Sequence, residues 1–389
     1  MTTTAEAIVI GGGVMGASIL YSLTSKGIKN SILLERSTVG SGSTGRSSGA
    51  IRMHYSTEVN ARLAFKSLEV FANFDEIVGG DVGFVETGYM VFAPDHAKEG
   101  FRDNIEMQRA VGIDTRVVSL DEARELAPAF RLDDDEHFAW ESRSGHADPS
   151  ATASAYISKA RSLGAKIILD TPVLSLDIGE TAAHRVVTEN ESFEAPIVVI
   201  ATGPWSGEFL SRLGIALPLL PTRHEVFLLK RDLNILPTHP GGGDMTNLTY
   251  FRPEGKDLTL VGNGNHEEVV DPNSYNPRYT LSYAQEVWER LANRIPDIDK
   301  AELFTGYSGL YTTTPDLHPI IDNVDGISGL YLCTGFSGHG FKLSPAVGAV
   351  MSELIIDGTS KSIDILPLRM SRFSEGELNQ TKYTFKVIA

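Results

Sequence analysis

Ile8-Val9-Ile10-Gly11-Gly12-Gly13-Val14-Met15-Gly16 decides how the rest of the chain is read. Residues 5–10 form an apolar run of strand length, and Val14 to Ser25 continue with helical spacing. Gly27 breaks that pattern, and a second apolar run, Ser31 to Leu34, completes a βαβ unit. Gly11, Gly13 and Gly16 stand in G-x-G-x-x-G spacing at the turn from strand to helix. The first glycine permits the tight turn, the second lets backbone approach a pyrophosphate, and the third lets helix and strand pack closely. Val14 and Met15 open the helix, whose N-terminal N–H groups suit phosphates. Glu35 ends the second strand, 19 residues after Gly16, where a carboxylate can bind ribose hydroxyls and would repel a 2′-phosphate. The unit predicts a dinucleotide site for FAD or NAD.

Working outward, Glu35-Arg36-Ser37 runs into a polar, glycine-rich stretch from Gly40 to Gly49. Ser43, Thr44, Arg46, Ser47, Ser48 and Gly49 could wrap a long cofactor with backbone and side-chain donors; a flexible linker has the same composition. Residues 57–75 carry a helical apolar stripe. Pro149–Gly164 is helical and leads to the strand candidates Lys166–Leu169 and Ile197–Ala201. A last strand, Leu330–Thr334, enters a glycine loop and then a helix from about Ser344 to Ile356. Residues 79–144 and 216–310 read differently. They hold short β pieces (Gly83–Glu86, Gly88–Phe92), a solvated turn at Asp133-Asp134-Asp135-Glu136, antiparallel strands and one helix near 281–294. The expected fold is α/β with α+β insertions. A discontinuous Rossmann-like nucleotide-binding domain takes residues 1–78, 145–215 and 318–365. An antiparallel-sheet substrate domain takes 79–144 and 216–317, and residues 366–389 form a C-terminal extension.

At 389 residues the chain is too long for one ordinary core, and 42% hydrophobic with 22% charged residues suits a soluble globular protein. A net charge of −16 argues against nucleic acid and anionic membranes as partners. The one cysteine, Cys333, excludes an internal disulfide and a cysteine metal cluster. It suits a reducing cytoplasm. The N-terminus leaves no room for a signal peptide before the first strand, and no apolar run nears the roughly 18 residues that span a bilayer. No histidine and carboxylate spacing suggests a metal, and no nucleophile elbow is present.

Three further segments make the reading specific: Val198-Val199-Ile200-Ala201-Thr202-Gly203-Pro204-Trp205-Ser206, Tyr311-Thr312-Thr313-Thr314-Pro315-Asp316, and Gly335-Phe336-Ser337-Gly338-His339-Gly340-Phe341-Lys342. With the N-terminal motif they resemble the D-amino acid oxidase-like (DAO) flavoproteins of glutathione-reductase-2-like fold. The branch is that of sarcosine oxidase, dimethylglycine dehydrogenase and the β subunit of proline dehydrogenase, and the likeness runs from about residue 6 to 358. The resemblance implies FAD rather than NAD. It implies that Val173, Ala201, Thr202, Gly203 and Trp205 border the cofactor. The run Gly338, His339, Gly340, Phe341 and Lys342 would lie along the flavin ring, ahead of a helix whose N-terminus stabilises the negative charge of the reduced ring.

The same resemblance matches Arg52 and Lys342 to residues that hold a substrate carboxylate, a task suited to a guanidinium fork and an ammonium point charge. Tyr250 and Tyr311 match pocket aromatics, though ordinary core tyrosines would look the same. His339, with His54 and His266, is a candidate for the flavin surroundings. The implied chemistry is oxidation of the C–N bond of a small secondary or N-methylated amino acid of the sarcosine, dimethylglycine or proline type. A hydride equivalent passes to flavin N5, and the imine then hydrolyses. Two departures stand out. The cysteine that holds FAD covalently in monomeric sarcosine oxidases is here Gly309, so a non-covalent flavin is expected. The lysine that serves oxygen on the other flavin face is here Gly262, with Arg46, Arg223 or His224 as substitutes. Oxygen, an electron-transfer protein or a quinone all stay open as acceptor, as do homo- and hetero-oligomers. Two other readings stand beside this one: a 2-hydroxyacid or glycerol-3-phosphate oxidoreductase, and an FAD-bearing subunit of an electron-transfer complex.

Overall fold

The computed structural model describes residues 2–179, 184–381 and 383. A six-stranded sheet runs in the order Lys166–Ile168, Ser31–Leu34, Ala7–Ile10, Ile197–Ile200, Leu330–Thr334, Ile320–Asn323. The first five strands are parallel and the last is antiparallel. Ala7–Ile10, Ser31–Leu34 and Val198–Ile200 are buried on both faces, as their unbroken apolar runs require. On one face the helix Val14–Ser25 packs between Pro149–Ser162 and Gly340–Asp357. On the other face a four-stranded sheet contributes Leu176, Val186 and Phe193 to a second apolar cluster.

An eight-stranded sheet takes the order Glu302–Thr313, Leu220–Lys230, Leu258–Gly262, Thr249–Glu254, Gly241–Asp244, Tyr89–Pro94, Glu136–Glu141, Thr115–Val118. It is antiparallel except where Gly241–Asp244 lies parallel to Tyr89–Pro94. The helix Leu281–Arg294 covers it through Ala284, Val287 and Leu291. Ala50–Ile51, Gly145–His146 and Val85–Glu86 form a small third sheet. No helix among the described residues is long and apolar enough to cross a membrane.

Two local expectations are corrected. The last long helix starts at Gly340, four residues before Ser344, and carries Pro345 inside it. Proline reads as a helix start; inside this helix it removes one N–H from the ladder, and the next, on Ala346, donates to Ser67 Oγ at 3.1 Å. Glu136 is no solvated turn residue. It is buried and bonded to Arg294, which Asp244 also grips at 2.7 Å.

Candidate active site

A cleft of about 390 Å³ opens where the parallel strands end. Its outer end is the glycine turn. Gly11 has φ +111°, and a Cβ there would collide with the Ala201 carbonyl. A Cβ on Gly16 would strike the Gly11 carbonyl, so Gly16 serves helix–strand packing and does not line the cleft. Glu35 accepts from Gly12 N–H at 2.6 Å and from Ser37 N–H at 2.9 Å, which fixes its carboxylate at the rim. Val14 N–H donates to Thr44 Oγ1 at 3.0 Å, joining the helix start to the following loop.

That loop is no free linker. Ser43 Oγ donates to Leu310 C=O at 2.7 Å, Arg46 to Ser308 C=O at 3.1 Å, and Tyr307 hydroxyl to Ser47 C=O at 3.2 Å. Ser43, Thr44, Arg46, Ser47 and Ser48 line the cleft with Val173, Ala201, Thr202, Gly203 and Gly309. Gly49 does not; its φ of +69° makes the bend past Ala147. Arg36 stacks 3.6 Å over Trp205, whose indole N–H is held by Asn273 at 2.8 Å. Both residues line the cleft.

The inner wall is Gly335–Gly338 with Gly340 and Phe341. Gly335, Ser337 and Gly338 all take positive φ, and Ser337 at +48° is the non-glycine among them. It is held there by its N–H to Thr312 C=O at 2.9 Å and by Thr314 N–H donating to its hydroxyl at 3.2 Å. His266 bonds the Ser337 carbonyl at 3.1 Å, with its ring 5.4 Å from Tyr311. The helix Gly340–Asp357 begins at this wall, and Gly340 and Phe341 of its first turn line the cleft.

Arg52, Lys342, His339 and Tyr250 are buried and are not among the residues that line this cleft. Burial, and then the charge of Arg52, pushes the Lys342 ammonium well below the ordinary lysine range. Among the described residues His339 has no hydrogen-bond partner on either ring nitrogen; it lies 5.3 Å from the Tyr55 ring and is kept neutral by burial and by Lys342 and Arg52. Tyr250 and His224 share a 2.6 Å bond, and the His224 ring stacks on Tyr311 at 4.5 Å. Burial pulls His224 down to about 3, with His266 adding to it, so the ring is neutral at physiological pH. His54, Gln108 and Glu141 stand behind Arg52. Sequence reasoning missed Glu141 and Gln108. One signal existed: Phe101, Asn104, Ile105 and Gln108 share the buried face of the helix Lys98–Val111, so two carboxamides occupy an apolar stripe.

The substitutes expected for an oxygen-serving lysine are narrowed by geometry. A Cβ on Gly262 would lie 2.5 Å from the Tyr250 hydroxyl, so that phenol fills the space. Arg223 is locked by Glu225 and Glu268, each at 2.9 Å, and His224 carries no charge. Of the three, only Arg46 brings a cation to the cleft wall. Cys333 is buried along the same wall, and burial pushes its thiol up, away from the reactive thiolate.

The glycine cradle, the fixed carboxylate and the long cleft fit FAD. The chain belongs to the DAO family of FAD dependent oxidoreductases, whose profile matches residues 6–354. It is 28% identical to FAD-dependent oxidoreductase domain-containing protein 1 of Xenopus laevis, over 95% of this chain and 82% of that protein. It is 25% identical to mitochondrial sarcosine dehydrogenase of Mus musculus over 98% of this chain, which spans 43% of that longer protein. Among solved structures, L-proline dehydrogenase from P. horikoshii superposes with a TM-score of 0.89 at 28% identity, covering 97% of this chain and 100% of that one. The chain is therefore an FAD-dependent oxidoreductase.

Proposed function

We propose that this flavoprotein oxidises the C–N bond of a small secondary or N-methylated amino acid of the sarcosine, dimethylglycine or proline type. The observation that carries the reading is the pair of buried cations, Arg52 and Lys342, close enough for one to depress the other's pKa. Such a pair is costly without an anion, and an arriving carboxylate offsets one of the two charges and so favours the protonated lysine. The neutral His224–Tyr250 pair offers a hydrogen bond to the substrate nitrogen without adding charge. FAD, when bound, supplies the two-electron acceptor; the chain supplies orientation, a dry setting and the helix N-terminus at Gly340. The substrate is held with its amine neutral, and the imine product hydrolyses in water.

In this reading residues 1–78, 145–215 and 318–365 hold FAD, while 79–144 and 216–317 carry the substrate pocket. The flavin is non-covalent, since Arg46 crowds the space a side chain on Gly309 would need. A dehydrogenase is favoured over an oxidase because Tyr250 fills the site of the missing lysine. A cytoplasmic setting belongs to the same proposal and rests on the single cysteine alone. The sarcosine and proline dehydrogenases named above support the substrate class. A phosphate-bearing substrate would call for more cations than this pair.

Mixing the FAD-loaded protein anaerobically with a panel of amino acids and hydroxyacids, then admitting air, tests this. Sarcosine, dimethylglycine or proline should bleach the flavin, and its colour should return slowly. Bleaching by hydroxyacids alone would sink the amine reading, and instant recolouring would sink the dehydrogenase assignment.

A further inference from the structure

Arg52 opens a stretch that belongs neither to the strand Ala50–Ile51 nor to the helix Glu58–Ala72, yet Arg52 to Ser56 are all buried. A buried backbone outside regular structure must find its partners elsewhere, and here distant side chains supply two of them. Met53 N–H donates to Glu141 at 2.9 Å, Gln108 donates to Tyr55 C=O at 2.9 Å, and Asn104 to the Ser56 hydroxyl at 3.2 Å. The Arg52 guanidinium itself donates to the carbonyl of His54. The orientation of Arg52 is therefore tied to where His54 sits.

His54 is fixed through both ring nitrogens. Gln108 Nε2, committed as a donor by its bond to Tyr55, stands 3.3 Å from Nδ1, so Nδ1 accepts. Burial and the charge of Arg52 keep the ring neutral. The proton assigned by this network then sits on Nε2, 2.5 Å from the Tyr383 hydroxyl, which accepts it. The two rings stack at 5.8 Å and 19°. Tyr383 comes from the far end of the chain. That end is tied at Asp316 by Arg372 and Asn379, and Tyr383 packs against the cluster of Tyr89, Val91 and Phe101.

We propose that Tyr383 is a positioning residue that holds the Arg52 loop, through His54, in the geometry that grips a substrate carboxylate. The inference rests on the carboxylate-binding role proposed for Arg52. Without the hydroxyl, His54 Nε2–H is a buried donor with its partner gone, and the loop moves to recover one. Arg52 moves with it. A purely packing role for Tyr383 would lower stability and leave carboxylate affinity alone.

The test uses the full-length FAD-loaded protein with acetate, which offers a carboxylate and nothing to oxidise, read by the shift it causes in the flavin spectrum. Tyr383→Phe keeps the ring and should weaken acetate about 5- to 20-fold, the effect of one buried hydrogen bond, with FAD content unchanged. In an Arg52→Ala background the same change should cost nothing further. His54→Leu breaks the bond from the other side and should reproduce the loss. Acetate affinity within twofold of the parent in Tyr383→Phe, or an equal loss in the Arg52→Ala background, overturns the proposal. Arg52→Ala leaving acetate untouched sinks both this and the carboxylate role. Intact coupling in a protein that no amino acid bleaches removes the amine-oxidation reading alone.

Discussion

At the scale of single residues, the glycines of the first turn show the tightest coupling between identity and function. A Cβ on Gly16 has nowhere to go but into the Gly11 carbonyl, and that peptide shapes the cofactor turn. Gly16→Ala should therefore cost about 1–3 kcal/mol of stability and most of the FAD affinity, read by thermal unfolding and by flavin retained after gel filtration. These glycines were legible because their spacing is local: six consecutive residues state the whole turn. Glu35 and the Gly335–Lys342 loop were legible for the same reason. The partners of the loop that follows Arg52 were not. Glu141, Gln108 and Tyr383 lie far from it in sequence, and nothing near residue 52 announces which distant side chains will bury it. His224 was read as a possible cation, but its charge depends on how deeply the eight-stranded sheet buries it, which no local pattern states.

At the scale of elements, the turn Thr314–His318 is braced by a buried ion pair. Arg372 reaches Asp316 at 2.8 and 3.0 Å, with both side chains almost fully buried. Burial alone would raise the Asp316 carboxyl, but the Arg372 guanidinium outweighs it and holds it at about 2. Because the folded value is depressed, the stabilisation is complete above the ordinary aspartate range near 4 and disappears as pH falls through about 2. Asp316→Asn strands a buried guanidinium and should cost about 3–5 kcal/mol in urea unfolding at pH 7. The loss should shrink as the parent is acidified from pH 4 toward 2. The sequence placed Asp316 in a motif but not its partner, because Arg372 lies in the extension beyond the recognisable segments. The opposite holds for the helix Leu281–Arg294, whose strong amphipathic pattern located both ends.

At the scale of the whole molecule, the cofactor is part of the structure's stability. The cleft that fits FAD is lined by the first turn, the 40s loop, the Ala201 crossing and the Gly335 loop, so a cofactor bound there would bind the folded chain alone. Adding free FAD at about a hundred times its dissociation constant should stabilise the apoprotein by about 2.7 kcal/mol, seen as an upward shift in the unfolding midpoint; an unchanged midpoint would contradict this cleft as its site. The α/β blocks were legible because each is a compact strand–helix pattern; the eight-stranded sheet was legible only as β material, since its one parallel pairing depends on contacts across some 150 residues. The order of strands in the six-stranded sheet has a further consequence. Ile197–Ile200 lies between Ala7–Ile10 and Leu330–Thr334, so the central strand gains its second neighbour only when the last third of the polypeptide exists. During synthesis Ala7–Ile10 can pair early with Ser31–Leu34 but waits for residues 197–200, and Ile197–Ile200 in turn waits, apolar on its open edge, for residues 330–334. A cleft with one wall made by Gly335–Gly338 is incomplete until that stretch has been made and folded.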